Sequence, residues 1–114
     1  MNINDELKDD ILIMKLGGKV MGGNDADLFQ GRLQKYISSG QRKVIIDLAH
    51  VKQIGSMGLG MLLSASHMLN KYNGKLALSN IPESVESLLV ITKLITVFDT
   101  KDSIEEAEVA LRLN

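Results

Sequence analysis

The chain has 114 residues, 45% of them hydrophobic, and 13 Lys and Arg against 14 Asp and Glu give a net charge of −1. This length predicts one domain spanning residues 1–114, and the balanced charge argues against nucleic-acid binding. The absence of cysteine excludes disulfides and thiol catalysis. A polar N-terminus and the lack of a membrane-length apolar run predict a cytoplasmic protein without membrane insertion.

The N-terminal third predicts two strands and a helix. Residues 11–16 form a short apolar run that ends at a glycine pair, and a weaker strand precedes it at residues 3–7. Residues 22–24 form a loop, in which Asn24, or Asp25 after it, is expected to cap the next helix. That helix is indicated by apolar residues at helical spacing, namely Ala26, Phe29, Leu33, Tyr36 and Ile37.

The middle of the chain alternates strands with helices. Residues 43–48 are a β-branched apolar run, typical of a strand covered on both faces. A helix over 57–72 ends in an Asn-Gly pair, and residues 75–79 alternate like a strand. Pro82 begins a further helix, whose inward-facing residues are predicted to be Val85, Leu88, Leu89 and Ile91.

The C-terminal segment predicts a short strand at residues 97–98 and a last helix capped by Asp102 or Ser103. Glu106 follows Ser103 at capping-box spacing. The element order β-β-α-β-α-β-α-β-α predicts an α/β fold with a mixed, mostly parallel sheet and about four helices.

The most informative segment reads Gln-Ile-Gly-Ser-Met-Gly-Leu-Gly-Met-Leu-Leu over residues 53–63, directly after the buried strand. It places Ser56 at the mouth of an apolar helix, whose N-terminus tolerates an added anion. Ser56 is therefore predicted to be a phosphorylation site, a plain N-cap of the helix, or both at once. Met57 is expected to be exposed, either as an apolar contact for a partner or against the neighbouring loop.

This turn, together with residues 91–94, 97–98 and 103–107, resembles the STAS domain family of bacterial anti-sigma factor antagonists and sulfate transporter tails. The family's turn usually reads Asp-Ser-Ser/Thr-Gly-Leu-Gly, and its first serine, which is phosphorylated by a partner, falls on Ser56. The resemblance implies an anti-sigma factor partner of the histidine-kinase-like ATPase type, a phosphatase that restores the switch, and no cofactor. It also implies regulation of transcription by a protein that is not itself an enzyme.

The chain departs from the family pattern at several positions. Gly55 replaces the usual Asp, Met57 replaces Ser or Thr, and Lys93 replaces Gly, while residues 18–21 lack the acid that ends the family's early Gly-Glu-Leu-Asp segment. The alternative to the antagonist is therefore an unphosphorylated STAS scaffold in a larger signalling or transport complex.

No residue set predicts catalysis or a metal site. Ser64 and Ser66 have no activating base at a useful position, and His50 and His67 have no ligand partner at metal-binding spacing. The glycines of the turn lack the Lys-Ser/Thr of a phosphate-binding loop. The predicted partner surface consists of Gly22, Gly23, Asn24, Gly55, Ser56, Met57, Gly58, Leu59 and Gly60.

Overall fold

Five strands form one sheet in chain order in the computed structural model, which describes residues 1–113. The strands are β1 Asn2–Lys8, β2 Ile11–Val20, β3 Lys43–Ile54, β4 Lys75–Ser79 and β5 Asp99–Lys101. β1 pairs antiparallel with β2, whereas β2, β3, β4 and β5 are parallel neighbours. The predicted mixed, mostly parallel sheet is confirmed.

Within residues 1–113, four α-helices connect and follow the strands: α1 Asn24–Ser38, α2 Ser56–Lys71, α3 Glu83–Ile91 and α4 Ile104–Arg112. The predicted α/β element order is therefore confirmed. Because successive side chains of a strand point to opposite faces, the sheet contributes to two apolar clusters. The larger one contains buried residues of α1, α2 and α3, and the smaller one joins Ile11, Ile13, Ile45 and Ala77 to Ala107 and Leu111 of α4.

Two strands run further than the hydrophobic pattern predicts. β2 continues through Gly17 and Gly18 to Val20, and β3 continues to Ile54. The pairing of β2 with β3 shifts register between Lys15 and Gly17 and again after Gly18. Because this pairing is irregular, the sequence lacks the regular alternation of apolar and polar residues that would have predicted the longer strands. These extra residues carry both strands to the same edge of the sheet.

A buried carboxylate fixes the adjacent end of β4. Asp47 of β3 accepts hydrogen bonds on one oxygen from the Ser79 hydroxyl at 2.8 Å and from the Asn80 side-chain amide at 2.7 Å. Asn80 has a left-handed φ of 52°, a conformation that Asn tolerates better than most residues. The contact therefore sets the turn that leads from β4 towards α3.

The C-terminal third differs from the prediction in two places. Ile91 is 78% exposed instead of facing inward, because it is the last residue of α3, where the chain leaves the core. A 3₁₀ turn at Leu94–Thr96 occupies the approach to the sheet, so β5 begins at Asp99 and not at Val97. The predicted cap is confirmed, since the Ser103 hydroxyl accepts from the Glu106 amide at 3.1 Å.

Replacing Lys93 with Gly is expected to stabilise the protein. Lys93 has φ 64° and ψ 12°, a left-handed conformation that is unfavourable for any residue with a Cβ. Relief of that strain, partly offset by the greater freedom of Gly in the unfolded chain, predicts a gain of about 0.5–1 kcal/mol in urea unfolding. Lys93→Ala keeps the strain and is the control; an equal gain in that variant would contradict the explanation.

Within residues 1–113, no helix combines the length and the apolar character that crossing a bilayer requires.

Candidate functional site

The candidate site lies where β2 and β3 end side by side. Val20 and Ile54 are register partners, and the Gly55 amide donates a hydrogen bond to the Val20 carbonyl at 3.1 Å. The segments that follow the two strands are therefore neighbours. We call residues 22–24 the glycine loop and residues 55–60 the serine turn.

Ser56 is the first residue of α2 and is exposed. The residue at the N-cap position is Gly55, with an extended backbone at φ −99° and ψ 177°, and no side chain caps the helix. The plain N-cap interpretation of Ser56 is therefore wrong, because the helix begins one residue earlier than the pattern predicts. The first amides of a helix have no acceptor within it, so an exposed hydroxyl stands beside a patch of partial positive charge.

Gly58 allows the helix to approach the sheet. A Cβ at this position would lie 2.2 Å from the Val20 carbonyl oxygen and 2.8 Å from a side-chain carbon of Ile54. Gly58 and Leu59 are both buried. We therefore assign these two members of the predicted partner surface to shaping the turn, because a partner has no direct access to their side-chain positions.

The glycine loop contacts the serine turn through Gly22. Gly22 has a left-handed φ of 92°, and a Cβ there would lie 2.6 Å from the Met57 Cβ. Met57 is nonetheless 64% exposed, so it backs onto the loop and still presents much of its side chain to solvent; its contact with a partner stays a prediction. Gly23 and Asn24 are exposed beside it.

Met21 is a surface residue of the site that the sequence pattern did not single out. It is 46% exposed, and its methyl and sulfur lie 3.2 Å and 3.5 Å from the position of a Cβ on Gly55. In the sequence it is a methionine directly before a glycine pair. This pattern predicts a surface residue of the site only once β2 is known to reach Val20. Met21 and Met57 thus give the surface around the Ser56 hydroxyl an adaptable, apolar character.

The site carries little charge of its own. α2 has no acidic residue in its first turn, so nothing on that turn repels an anion placed on Ser56.

Two side chains with shifted pKa values lie outside the site. A hydrogen bond from Lys43 lowers the pKa of Asp10, in the turn between β1 and β2, and burial, with help from the nearby Asp5 carboxylate, raises the pKa of Tyr36 on α1.

The described part of the chain, residues 1–113, holds no cluster of three or more His, Asp or Glu side chains arranged to bind a metal ion. His50 and His67 are exposed and lie on different elements, β3 and α2. The serine turn offers an exposed hydroxyl at a helix N-terminus, a group that can accept a phosphoryl group.

Comparisons with known proteins agree with this geometry. The STAS domain model matches residues 2–107. BtrV of Bordetella bronchiseptica, a proposed anti-sigma factor antagonist, is 29% identical over 104 residues, which are 91% of this chain and 89% of that protein.

Two solved structures show the same fold. A proposed anti-sigma factor antagonist from Thermotoga maritima superposes with a TM-score of 0.88 at 25% identity, covering 96% of this chain and 94% of that one. The phosphorylated form of the Bacillus cell fate determinant SpoIIAA has a TM-score of 0.76 at 16% identity, with 99% and 100% covered. On the family match, the sheet order and the serine turn together, this chain belongs to the STAS domain family.

Proposed function

We propose that this protein is a cytoplasmic anti-sigma factor antagonist. It binds an anti-sigma factor through the exposed parts of the serine turn and the glycine loop, and this binding releases the sigma factor. The partner, a serine kinase of the histidine-kinase-like ATPase type, phosphorylates Ser56 and so ends the interaction, and a phosphatase restores it. In this scheme the protein is a substrate and not an enzyme.

The observation that carries the proposal is the exposed Ser56 hydroxyl at the N-terminus of α2. A phosphate adds about −1.5 to −2 charges, and the free amides and dipole of the first turn favour that charge. Because Ser56 makes no capping hydrogen bond, its modification removes no contact that holds the fold. The phosphate therefore weakens partner binding and leaves the fold intact, because it adds bulk to the interface and a charge that would lose its water on binding.

Names of related proteins support the same role. BtrV and the Thermotoga maritima protein are each described as a proposed anti-sigma factor antagonist, and SpoIIAA has been solved in a phosphorylated form. The surface around Ser56 fits a protein partner, since Met57 is 64% exposed and methionine packs against varied surfaces.

The second candidate function is an unphosphorylated STAS scaffold in a larger signalling or transport complex. Gly55 and Met57 favour it, because they replace the Asp and the Ser or Thr that flank the phosphorylated serine in the family's usual turn. In this case the same surface binds constitutively, and Ser56 is an ordinary exposed hydroxyl.

Capture of the tagged full chain from its native cells separates the two candidates. Mass spectrometry would identify the bound proteins and the modification state of the Ser56 peptide. The antagonist predicts a kinase-like ATPase among the partners and a phosphate on part of the Ser56 pool. Transport or scaffold proteins bound to an unmodified chain would instead support the second candidate.

A further inference from the structure

A groove runs between α1 and the C-terminal half of α2, well along the helix from Ser56. Its volume is about 740 Å³, and its lining includes Gln34, Ser64, His67, Met68, Lys71 and Tyr72. None of its lining residues is acidic, and the whole of α2, from Ser56 to Lys71, contains no Asp or Glu. The groove therefore presents cationic, amide and hydroxyl groups together with apolar surface, and no carboxylate.

The cationic side of the groove lies on α2. Ser64, His67 and Lys71 are spaced three and four residues apart, which puts them on one stripe of the helix, and all three are exposed. Within residues 1–113, no carboxylate lies within 4.0 Å of the Lys71 ammonium. Lys71 is thus a cation without an internal counter-charge.

Tyr72 lies at one end of the groove, and Arg42 packs against its ring. The Arg42 guanidinium lies 5.6 Å from the centre of the Tyr72 ring. The same guanidinium donates hydrogen bonds to the carbonyls of Ile37 at 2.9 Å and Gln41 at 2.8 Å. Arg42 therefore offsets the partial negative charge of the carbonyls at the C-terminal end of α1. It also places a cation beside the Tyr72 ring, which adds positive charge to this end of the groove.

We infer that this groove binds an acidic segment of a partner protein. A carboxylate of the segment would pair with the Lys71 ammonium, another would accept a hydrogen bond from the His67 imidazole, and an apolar side chain would contact Met68 and Tyr72. The stripe continues along α2 to Ser56, which at the rise of an α-helix lies about 12 Å from Ser64 and about 23 Å from Lys71, so one partner can cover both the groove and the serine turn. The inference rests on the charge and shape of the groove and does not depend on modification of Ser56.

A labelled peptide tests the inference on the full chain. The probe is a fluorescein-labelled, 14-residue amphipathic peptide with Glu on its polar face and Leu on its apolar face; the comparison peptide has every Glu replaced by Gln. Fluorescence anisotropy should show saturable binding of the Glu peptide. Lys71→Glu and, separately, the Gln peptide should each weaken binding by about fivefold or more, and amide NMR shifts should concentrate on residues 64–72.

Lys52→Glu is the matched control. Lys52 is an exposed lysine near the C-terminal end of β3, ten residues after Arg42, and does not line the groove; its replacement makes the same change in net charge. Lys52→Glu should alter affinity by no more than about twofold. No saturable binding, equal binding of the Gln peptide, or equal losses in the two lysine variants would overturn the inference; Lys71→Ala, with less added charge, repeats the test if Lys71→Glu unfolds.

Discussion

Replacing Ser56 with Asp should weaken binding of the anti-sigma factor by about 100-fold and leave the thermal midpoint of the free protein almost unchanged. The expected loss follows from burying an unpaired charge at a protein interface. The unchanged midpoint follows from the position of Ser56, which is exposed, makes no capping bond and lies at the end of a helix where a negative charge is favoured. Titration calorimetry and thermal unfolding measure the two quantities on the same preparation.

Two variants make this result specific. Ser56→Ala removes the hydroxyl without adding charge, so it should retain the affinity of the unmodified protein. Ser84→Asp places the same charge in the first turn of another helix, on an exposed serine of α3, and should also retain it. Equal losses in Ser56→Asp and Ser84→Asp would show an effect of net charge alone and would contradict a switch at the serine turn.

Gly58→Ala should destabilise the protein by roughly 3 kcal/mol or more, the upper part of the range for an overpacked core. The added Cβ would lie 2.2 Å from the Val20 carbonyl oxygen, and that atom belongs to the backbone of a strand. Val20 is the register partner of Ile54 in β3, and its carbonyl accepts a hydrogen bond from the Gly55 amide at 3.1 Å, so this oxygen has little freedom to move away. Urea unfolding followed by circular dichroism measures the loss.

Gly60→Ala is the internal control, two residues along the same helix. Nothing lies within 4 Å of a Cβ at Gly60, and Ala is favoured over Gly in a helix interior by up to about 1 kcal/mol. Gly60→Ala should therefore be neutral or stabilising. Similar losses at the two positions would mean that the turn tolerates no side chain for a reason other than the approach of Gly58 to β2.

The sequence predicts much of this fold because local patterns and tertiary packing agree in it. Residues 44–46 are a β-branched apolar run and lie in the central strand β3, as predicted. Phe29, Leu33 and Ile37 of α1 recur at helical spacing and are all buried. Ser103 and Glu106 form their predicted cap at the start of α4.

The remaining features depend on contacts between distant residues. β2 extends past Gly17 and Gly18 because β3 runs beside it, and no local pattern reports that pairing. Ile91 lies at helical spacing yet faces solvent, since α3 ends there.

The candidate site, like the fold, could be predicted from the sequence only in part. Ser56 and the glycines could be selected from their motif, but the contribution of Met21 depends on the approach of β2 to the turn. The α1–α2 groove likewise requires the packing of two helices from separate parts of the chain. A motif therefore identifies the candidate phosphorylation site more readily than the surface that surrounds it.

The most direct test of the central claim is the intact mass of the protein after incubation with ATP and the kinase-like ATPase captured from the same cells. Wild-type protein should gain one phosphate, located on Ser56 by peptide fragmentation, and the modified form should no longer bind the ATPase. Ser56→Ala should gain none. A wild-type chain that binds the ATPase but gains no phosphate, or a phosphate that also appears on Ser56→Ala, would contradict the proposed switch.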